Sequence, residues 1–131
     1  MKNMTIDQEH RCHVIIHAAS ISAGAIGAGL AQIPCADHVI ITPLQTAMAI
    51  AVARVFDIKI TKSAARSAIV SLAASQVGRA CSQLAFGWIP GAGNVCNAGT
   101  AAAITEAIGW LLAEDFAEQA QDMSGIKNAA A

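Results

Sequence analysis

Residues 14–36 read VIIHAASISAGAIGAGLAQIPCA and contain no Asp, Glu, Lys or Arg. Alanine is the strongest helix former, and small side chains let helix backbones approach one another closely. The stretch therefore predicts a helix whose contact faces consist of small side chains. We expect that helix to stop at Ile33–Pro34, because proline removes a backbone donor and obstructs the preceding turn.

The rest of the chain has a similar composition. Of its 131 residues roughly 30 are alanine and 10 are glycine, none is tyrosine, and 13% are charged. A typical soluble domain carries about 25% charged residues. We assign residues 1–131 to a single helical domain with a core at about 7–121, and we expect the polar N-terminus and the alanine-rich C-terminal tail to be flexible. So much apolar surface has to be covered by a membrane, by a partner or by copies of the same chain.

Charge and cysteine usage limit the class of protein further. The formal net charge of -1 argues against a nucleic-acid binder, because phosphate contacts need a clear basic excess. The polar first eleven residues lack the features of a secretory signal. We therefore expect the cysteines to stay reduced as small buried side chains; they are Cys12, Cys35, Cys81 and Cys96.

Caps and prolines predict an all-α fold of four long helices. Pro43 lies inside the second one, where it either kinks the helix or occupies its first position after a Thr42 cap. Strands are not expected. The helices are predicted at about 7–32, from about 36 to 57, from Thr61 or Ser63 to about 86, and from the turn at 89–94 to about 121, before a break at Gly125.

The two halves of the chain resemble each other. Residues 33–39, IPCADHV, align with residues 89–95, IPGAGNV, and alanines further along align at the same offset. Each half then forms a helix, an Ile-Pro corner and a second helix, and the two hairpins pack together as a possible internal duplication. The alternative is chance similarity between alanine-rich helices. The residues expected to shape the corners are Pro34, Pro43, Pro90, Gly91 and Gly93.

Membrane spans are poorly supported. Residues 14–36 and 80–105 lack charged side chains, but Ile89–Pro90 interrupts the second stretch. Arg66 and Arg79 lie within the third predicted helix, and arginine is costly in lipid. A hairpin dipped into one leaflet, or a bundle buried by self-association, fits this pattern better than four conventional spans.

Two helix faces carry specific expectations. Helical spacing predicts a core stripe on the second helix, formed by Leu44, Met48, Ala51 and Val55. Gln45 is a polar residue in this apolar stretch, so it either hydrogen-bonds across helices or faces solvent. On the third helix Ser63, Ser67, Ser71 and Ser75 form a line that is a solvated face, a close helix contact or a lipid-tolerant stripe.

The densest set of candidate metal ligands lies near the N-terminus. His10, His13 and His17 share a helix face, and Cys12 lies between them in sequence. Imidazole and thiolate groups suit zinc or a similar ion, but no standard spacing is matched, so partly exposed structural histidines are the alternative. Catalytic residues and cofactors are not predicted, since no acid–base pair or nucleophile motif has an obvious setting.

The corner and helix motifs together resemble a bacterial helical domain of unknown function that is found with Era-like GTPases and in YcjF-type membrane proteins. The matching positions are Pro34, Ala36, Asp37, Pro43, Gln45 and Met48, then Ile89, Pro90, Gly91 and Gly93, then Thr105, Ile108 and Gly109. The resemblance implies an all-helical domain, membrane association and a GTPase as partner. It also implies a location in the bacterial cytoplasm or on the cytoplasmic face of the membrane, and it supplies no catalytic residues.

Composition and resemblance together predict a non-enzymatic, membrane-associating helical module that self-assembles. A homo-oligomeric scaffold that needs no membrane is the first alternative. A metal-binding protein that uses the N-terminal histidines and Cys12 is the second.

Overall fold

The computed structural model describes residues 3–29, 36–72 and 93–130, and these residues form four helices and no strand. They are α1 (Ile6–Gly29), α2 (Ala36–Val55), α3 (described over 62–72) and α4 (Gly93–Ala130). The all-α prediction is confirmed. Both Ile-Pro corners, with Pro34, Pro90 and Gly91, lie outside the described residues, as does the second half of the third predicted helix. Of the repeated stretches 33–39 and 89–95, only residues 36–39 and 93–95 are described, each at the start of a helix.

A capping box starts α1. Thr5 Oγ1 accepts a hydrogen bond from the Gln8 backbone N–H at 3.2 Å, and Gln8 Oε1 accepts one from the Thr5 N–H at 3.0 Å. The two side chains thus satisfy backbone donors that the first turn leaves without partners. Asp7 and Glu9 in the same turn complement the positive end of the helix dipole.

Pro43 lies inside α2, which begins at Ala36. The interpretation that placed Thr42 as the cap and Pro43 at the first helical position is therefore wrong. Proline costs about 3 kcal/mol in a helix interior, but the rest of α2 packs against α1 and α4 and Pro43 itself is exposed. Tertiary packing thus outweighs the local penalty.

Six residues, 56–61, connect α2 to α3. Asp57 adopts a positive φ of 59°, and the Ile58 N–H donates back to the Ala53 carbonyl at 3.0 Å, which is the Schellman arrangement at a helix end. Thr61 then caps α3, because its Oγ1 accepts from the Ala64 N–H at 3.1 Å. Of the two predicted caps Thr61 is confirmed, and Ser63 lies inside the helix.

The end of α4 differs from the prediction. The helix was expected to stop near Gln121 and to break at Gly125, but it continues to Ala130. A single glycine in an exposed helix costs only about 1 kcal/mol relative to alanine, which is too little to end a helix of 38 residues. Gly93, predicted as a corner residue, is the first residue of this helix.

The contacts between helices fix their directions. Asn3 lies beside Gln121 and His17 beside Glu106, so α1 runs antiparallel to α4. Gln45 hydrogen-bonds Thr105, while an added Cβ at Gly109 would lie 3.2 Å from Met48, so α2 runs parallel to α4. Among α1, α2 and α4 as described, the most extensive contact is between α1 and α4. None of the helices within the described ranges is long and apolar enough to cross a bilayer.

The core uses small side chains and differs from the predicted stripe on α2. Met48 and Val55 are buried as expected, but Leu44 and Ala51 are only half-buried. The buried face is rotated toward Gln45, which packs against α4. Its members on α2 and in the following turn are Gln45, Met48, Ala49, Val52, Ala53, Val55 and Phe56.

Candidate functional site

A buried polar contact joins α2 to α4. Gln45 Nε2 donates to Thr105 Oγ1 at 3.1 Å, and both side chains are buried. Burying an amide is unfavourable unless it is hydrogen-bonded, so this pair fixes how the two helices face each other. Of the two interpretations of Gln45, the cross-helix hydrogen bond is the one that the geometry supports.

One turn further along α4, Gly109 allows three helices to meet. A Cβ at this position would lie 2.7 Å from Ile16 Cγ2 of α1 and 3.2 Å from Met48 Sδ of α2. The first distance is shorter than real Cβ atoms show, and the second is tight. Several residues that carry the sequence resemblance thus contact one another here, namely Gln45 and Met48 on α2 with Thr105 and Gly109 on α4. These residues therefore serve to pack the helices against one another.

A cluster of polar and aromatic side chains surrounds Glu106 on the surface of α4. Trp110 Nε1 donates to Glu106 Oε1 at 3.3 Å, and His17 Nδ1 on α1 lies 3.6 Å from Glu106 Oε2. Burial alone would raise the pKa of Glu106, but hydrogen bonds from Ser20 and Trp110 and the charge of His17 outweigh it and lower that pKa. The carboxylate is held ionised between two helices.

His13 extends this group along α1. Its ring stacks on His17 with centroids 5.4 Å apart and planes 13° apart, and its centroid lies 6.3 Å from that of Trp110. Sequence reasoning identified the two histidines but missed Glu106 and Trp110. Helical spacing shows which residues share a face, whereas the partner of that face depends on the antiparallel packing of α4.

The candidate metal ligands do not converge. His10, His13 and His17 are exposed, whereas Cys12 is fully buried in the core on the other side of α1. Burial raises the pKa of the Cys12 thiol even though Arg11 lies nearby. Across the part of the chain that the structure describes, no three histidine, cysteine or acidic side chains are grouped so as to hold a metal ion.

The outward face of α1 carries an apolar stripe. We call Val14, Ala18, Ile21 and Ala25 the outer stripe. All four are exposed, Val14 to 54% and Ile21 to 62%, although side chains of this size usually contribute to a core. The stripe lies opposite the residues of α1 that pack inward, such as Cys12, Ile16 and Ala23.

The polar line predicted on the third helix is exposed where it is described. Ser63, Ser67 and Ser71 are all exposed, while Ile69 on the other side of α3 is buried. Ser75 lies outside the described residues. The described serines therefore do not form the close helix contact, and their exposure fits both a solvated face and a lipid-tolerant stripe.

Comparison of the chain with models of protein families, with curated proteins and with solved structures finds no match. The resemblance to the GTPase-associated helical domain therefore rests on the motif residues themselves.

Proposed function

We propose that this chain is a non-enzymatic helical module that works by self-association, with the outer stripe of α1 as its contact surface. The observation that carries the proposal is the exposure of Val14 and Ile21 on one face of a long helix. Complete burial of such a side chain is worth about 1.5–3 kcal/mol. A second helix laid along the stripe would remove both side chains from water together with the alanines beside them.

The polar contacts agree with a structural role. Gln45 and Thr105 satisfy each other inside the bundle, and Glu106 is engaged by Trp110 and His17 at the surface. These groups hold helices in place, and each is accounted for by a partner within the same chain. A scaffold that presents a rigid helix face needs this kind of support.

Size-exclusion chromatography with mass determination, with and without detergent, tests the proposal. We expect a defined oligomer in both conditions, and we expect Ile21→Glu to shift it to the monomer because a carboxylate cannot be buried without a partner. Val70→Glu is the matched control, since Val70 is similarly exposed, at 57%, and belongs to α3 instead of the stripe. A wild-type protein that is monomeric without detergent would refute self-association.

A second candidate function is association with a membrane surface, favoured by the end of α4. Residues 121–130 of this helix are all exposed and include Met123, Ile126 and Lys127. Apolar side chains beside a lysine suit the boundary between lipid headgroups and acyl chains. Flotation with vesicles that contain anionic lipid is expected to carry the wild-type chain upward and to leave a Met123→Ser/Ile126→Ser variant behind; equal flotation of both would remove this candidate.

A GTPase partner and a location in the bacterial cytoplasm or at its membrane face are proposed from the sequence resemblance alone. Metal binding through His10, His13, His17 and Cys12 has less support, because Cys12 faces the core and the histidines face solvent.

A further inference from the structure

We propose that His13 and His17 of α1 together bind one divalent transition-metal ion, and that Glu106 of α4 positions the ring of His17 for this contact. Cys12 and His10 take no part, so the site is smaller than the set of ligands expected from the sequence. It does not depend on self-association, because all three side chains belong to one chain and lie together at the surface between α1 and α4.

The spacing of the two histidines is that of a metal-binding pair. His13 and His17 are four residues apart on α1, and both are exposed. Residues four apart lie on the same face of a helix, one turn above the other. Helical histidines at this spacing bind zinc in metalloproteases. Val14 stands where those enzymes carry their catalytic glutamate, so the pair here implies binding without that chemistry.

The distance between the two rings fits a shared ion. Imidazole nitrogens bind zinc at about 2.0–2.1 Å, which places the centroid of each bound ring about 3 Å from the metal. Two rings on one ion therefore have centroids no more than about 6 Å apart, and those of His13 and His17 are 5.4 Å apart. The planes differ by 13°, and the exposure of both side chains lets them rotate until one nitrogen of each ring faces a common point.

Glu106 supplies the support that metal-binding histidines usually have. Its Oε2 lies 3.6 Å from His17 Nδ1, and its Oε1 accepts a hydrogen bond from Trp110 Nε1 at 3.3 Å. A histidine that binds metal through one nitrogen almost always presents the other to a carboxylate or a carbonyl, which fixes its tautomer. A carboxylate beside Nδ1 favours the proton there and leaves the lone pair of His17 on Nε2 for the metal.

The ligand type selects the class of ion. Neutral imidazole suits Zn²⁺, Ni²⁺ and Cu²⁺, whereas Mg²⁺ and Ca²⁺ prefer oxygen ligands. Within the described ranges no third histidine, cysteine or acidic side chain completes a group of protein ligands, so solvent supplies the remaining positions. Two protein ligands are enough for a reversible site, because the second bond forms within the molecule once the first has formed.

Isothermal titration calorimetry of the full-length, untagged chain with NiCl₂ near neutral pH tests the site. We expect the wild type to bind one more Ni²⁺ ion per chain than the His13→Gln/His17→Gln double variant. Each single variant should raise the dissociation constant of this ion by about ten-fold or more, because only one of the two ligands remains. All of these positions are exposed, so the variants keep the packing of the bundle.

His10→Gln is the matched control, since His10 is also exposed on α1 and lies three residues before His13. Its dissociation constant for Ni²⁺ should equal that of the wild type. Equal binding by the wild type and the double variant would overturn the site, and so would a loss in His10→Gln as large as that in His17→Gln.

A second pair of variants tests the role of Glu106. Glu106→Gln is expected to raise the dissociation constant for Ni²⁺ about ten-fold, because the amide no longer holds the proton on His17 Nδ1 as a carboxylate does. Glu118→Gln, at an exposed position on the same helix, should leave it unchanged. Equal dissociation constants for these two variants would overturn the part assigned to Glu106.

Discussion

At the scale of single residues, Gly109 occupies a position that leaves no room for a side chain. A methyl group there would collide with Ile16, which is completely buried and has little room to move. We expect Gly109→Ala to destabilise the fold by about 1–3 kcal/mol in urea unfolding, despite the better helix propensity of alanine.

Gly125 on the same helix is the control for Gly109. An added Cβ there meets nothing within 4 Å, so Gly125→Ala should stabilise the helix by up to about 1 kcal/mol. If the two substitutions changed the free energy of unfolding equally, the close approach of α1, α2 and α4 at Gly109 would be wrong.

Glu106 gives the fold a dependence on pH. Its pKa is lowered in the folded chain, so the contacts of the carboxylate add stability above the usual pKa of an unfolded glutamate, about 4.3. That stability is lost as the pH falls through the lowered folded value. We expect Glu106→Gln to be less stable than the wild type near neutral pH, with the difference shrinking on acidification.

Urea unfolding across this pH range measures the difference, and Glu118→Gln, an exposed position on the same helix, is its control. If the difference in free energy of unfolding between the wild type and Glu106→Gln stayed constant with pH, the charge of the Glu106 carboxylate would contribute nothing to stability.

At the scale of the helices, local sequence rules predicted where helices exist better than where they end. The start of α1 was predicted to within a residue, and Thr61 was one of two predicted caps of α3. A cap such as Thr61 is a contact between near neighbours, so the sequence can indicate it. Gly125 was misread as a break, and one of the two interpretations of Pro43 wrongly made it the first residue of α2. Each carries a local penalty, but the remaining residues of a long helix and their packing outweigh it.

The contacts between helices were harder to predict from the sequence than the helices themselves. Gln45 could be recognised as out of place in an apolar stretch, but both its exposure and its partner were open until α4 was placed beside it. Glu106 and Trp110 carried no signal of their own, since their role depends on which face of α1 packs against them. Helical periodicity describes one element at a time, so such pairs escape it.

Asp57 tests the helix end between α2 and α3. Its left-handed backbone is unfavourable for a residue with a Cβ, so Asp57→Gly should stabilise the chain by about 0.5–1 kcal/mol in thermal or urea unfolding. Asp57→Ala removes the carboxylate but keeps the Cβ and should bring no gain. If Asp57→Gly and Asp57→Ala stabilised the chain equally, the gain would come from loss of the carboxylate charge and not from the backbone conformation.

At the scale of the whole molecule, the low charge of the sequence has two separate structural counterparts. Inside, alanines and Gly109 let three helices pack closely. Outside, α1 keeps an apolar stripe that the bundle leaves exposed. Composition alone indicated that apolar surface had to be covered, but it could not assign that surface to the inside or the outside of the bundle.

The central claim is that the outer stripe mediates self-association, and sedimentation equilibrium tests it most directly. The chain has a mass of 13.4 kDa. In the absence of detergent we predict a whole multiple of this mass, twice or more, for the wild type and for Val70→Glu, and the single-chain mass for Val14→Glu. The same mass for the wild type and Val14→Glu, whether monomeric or oligomeric, would contradict the account.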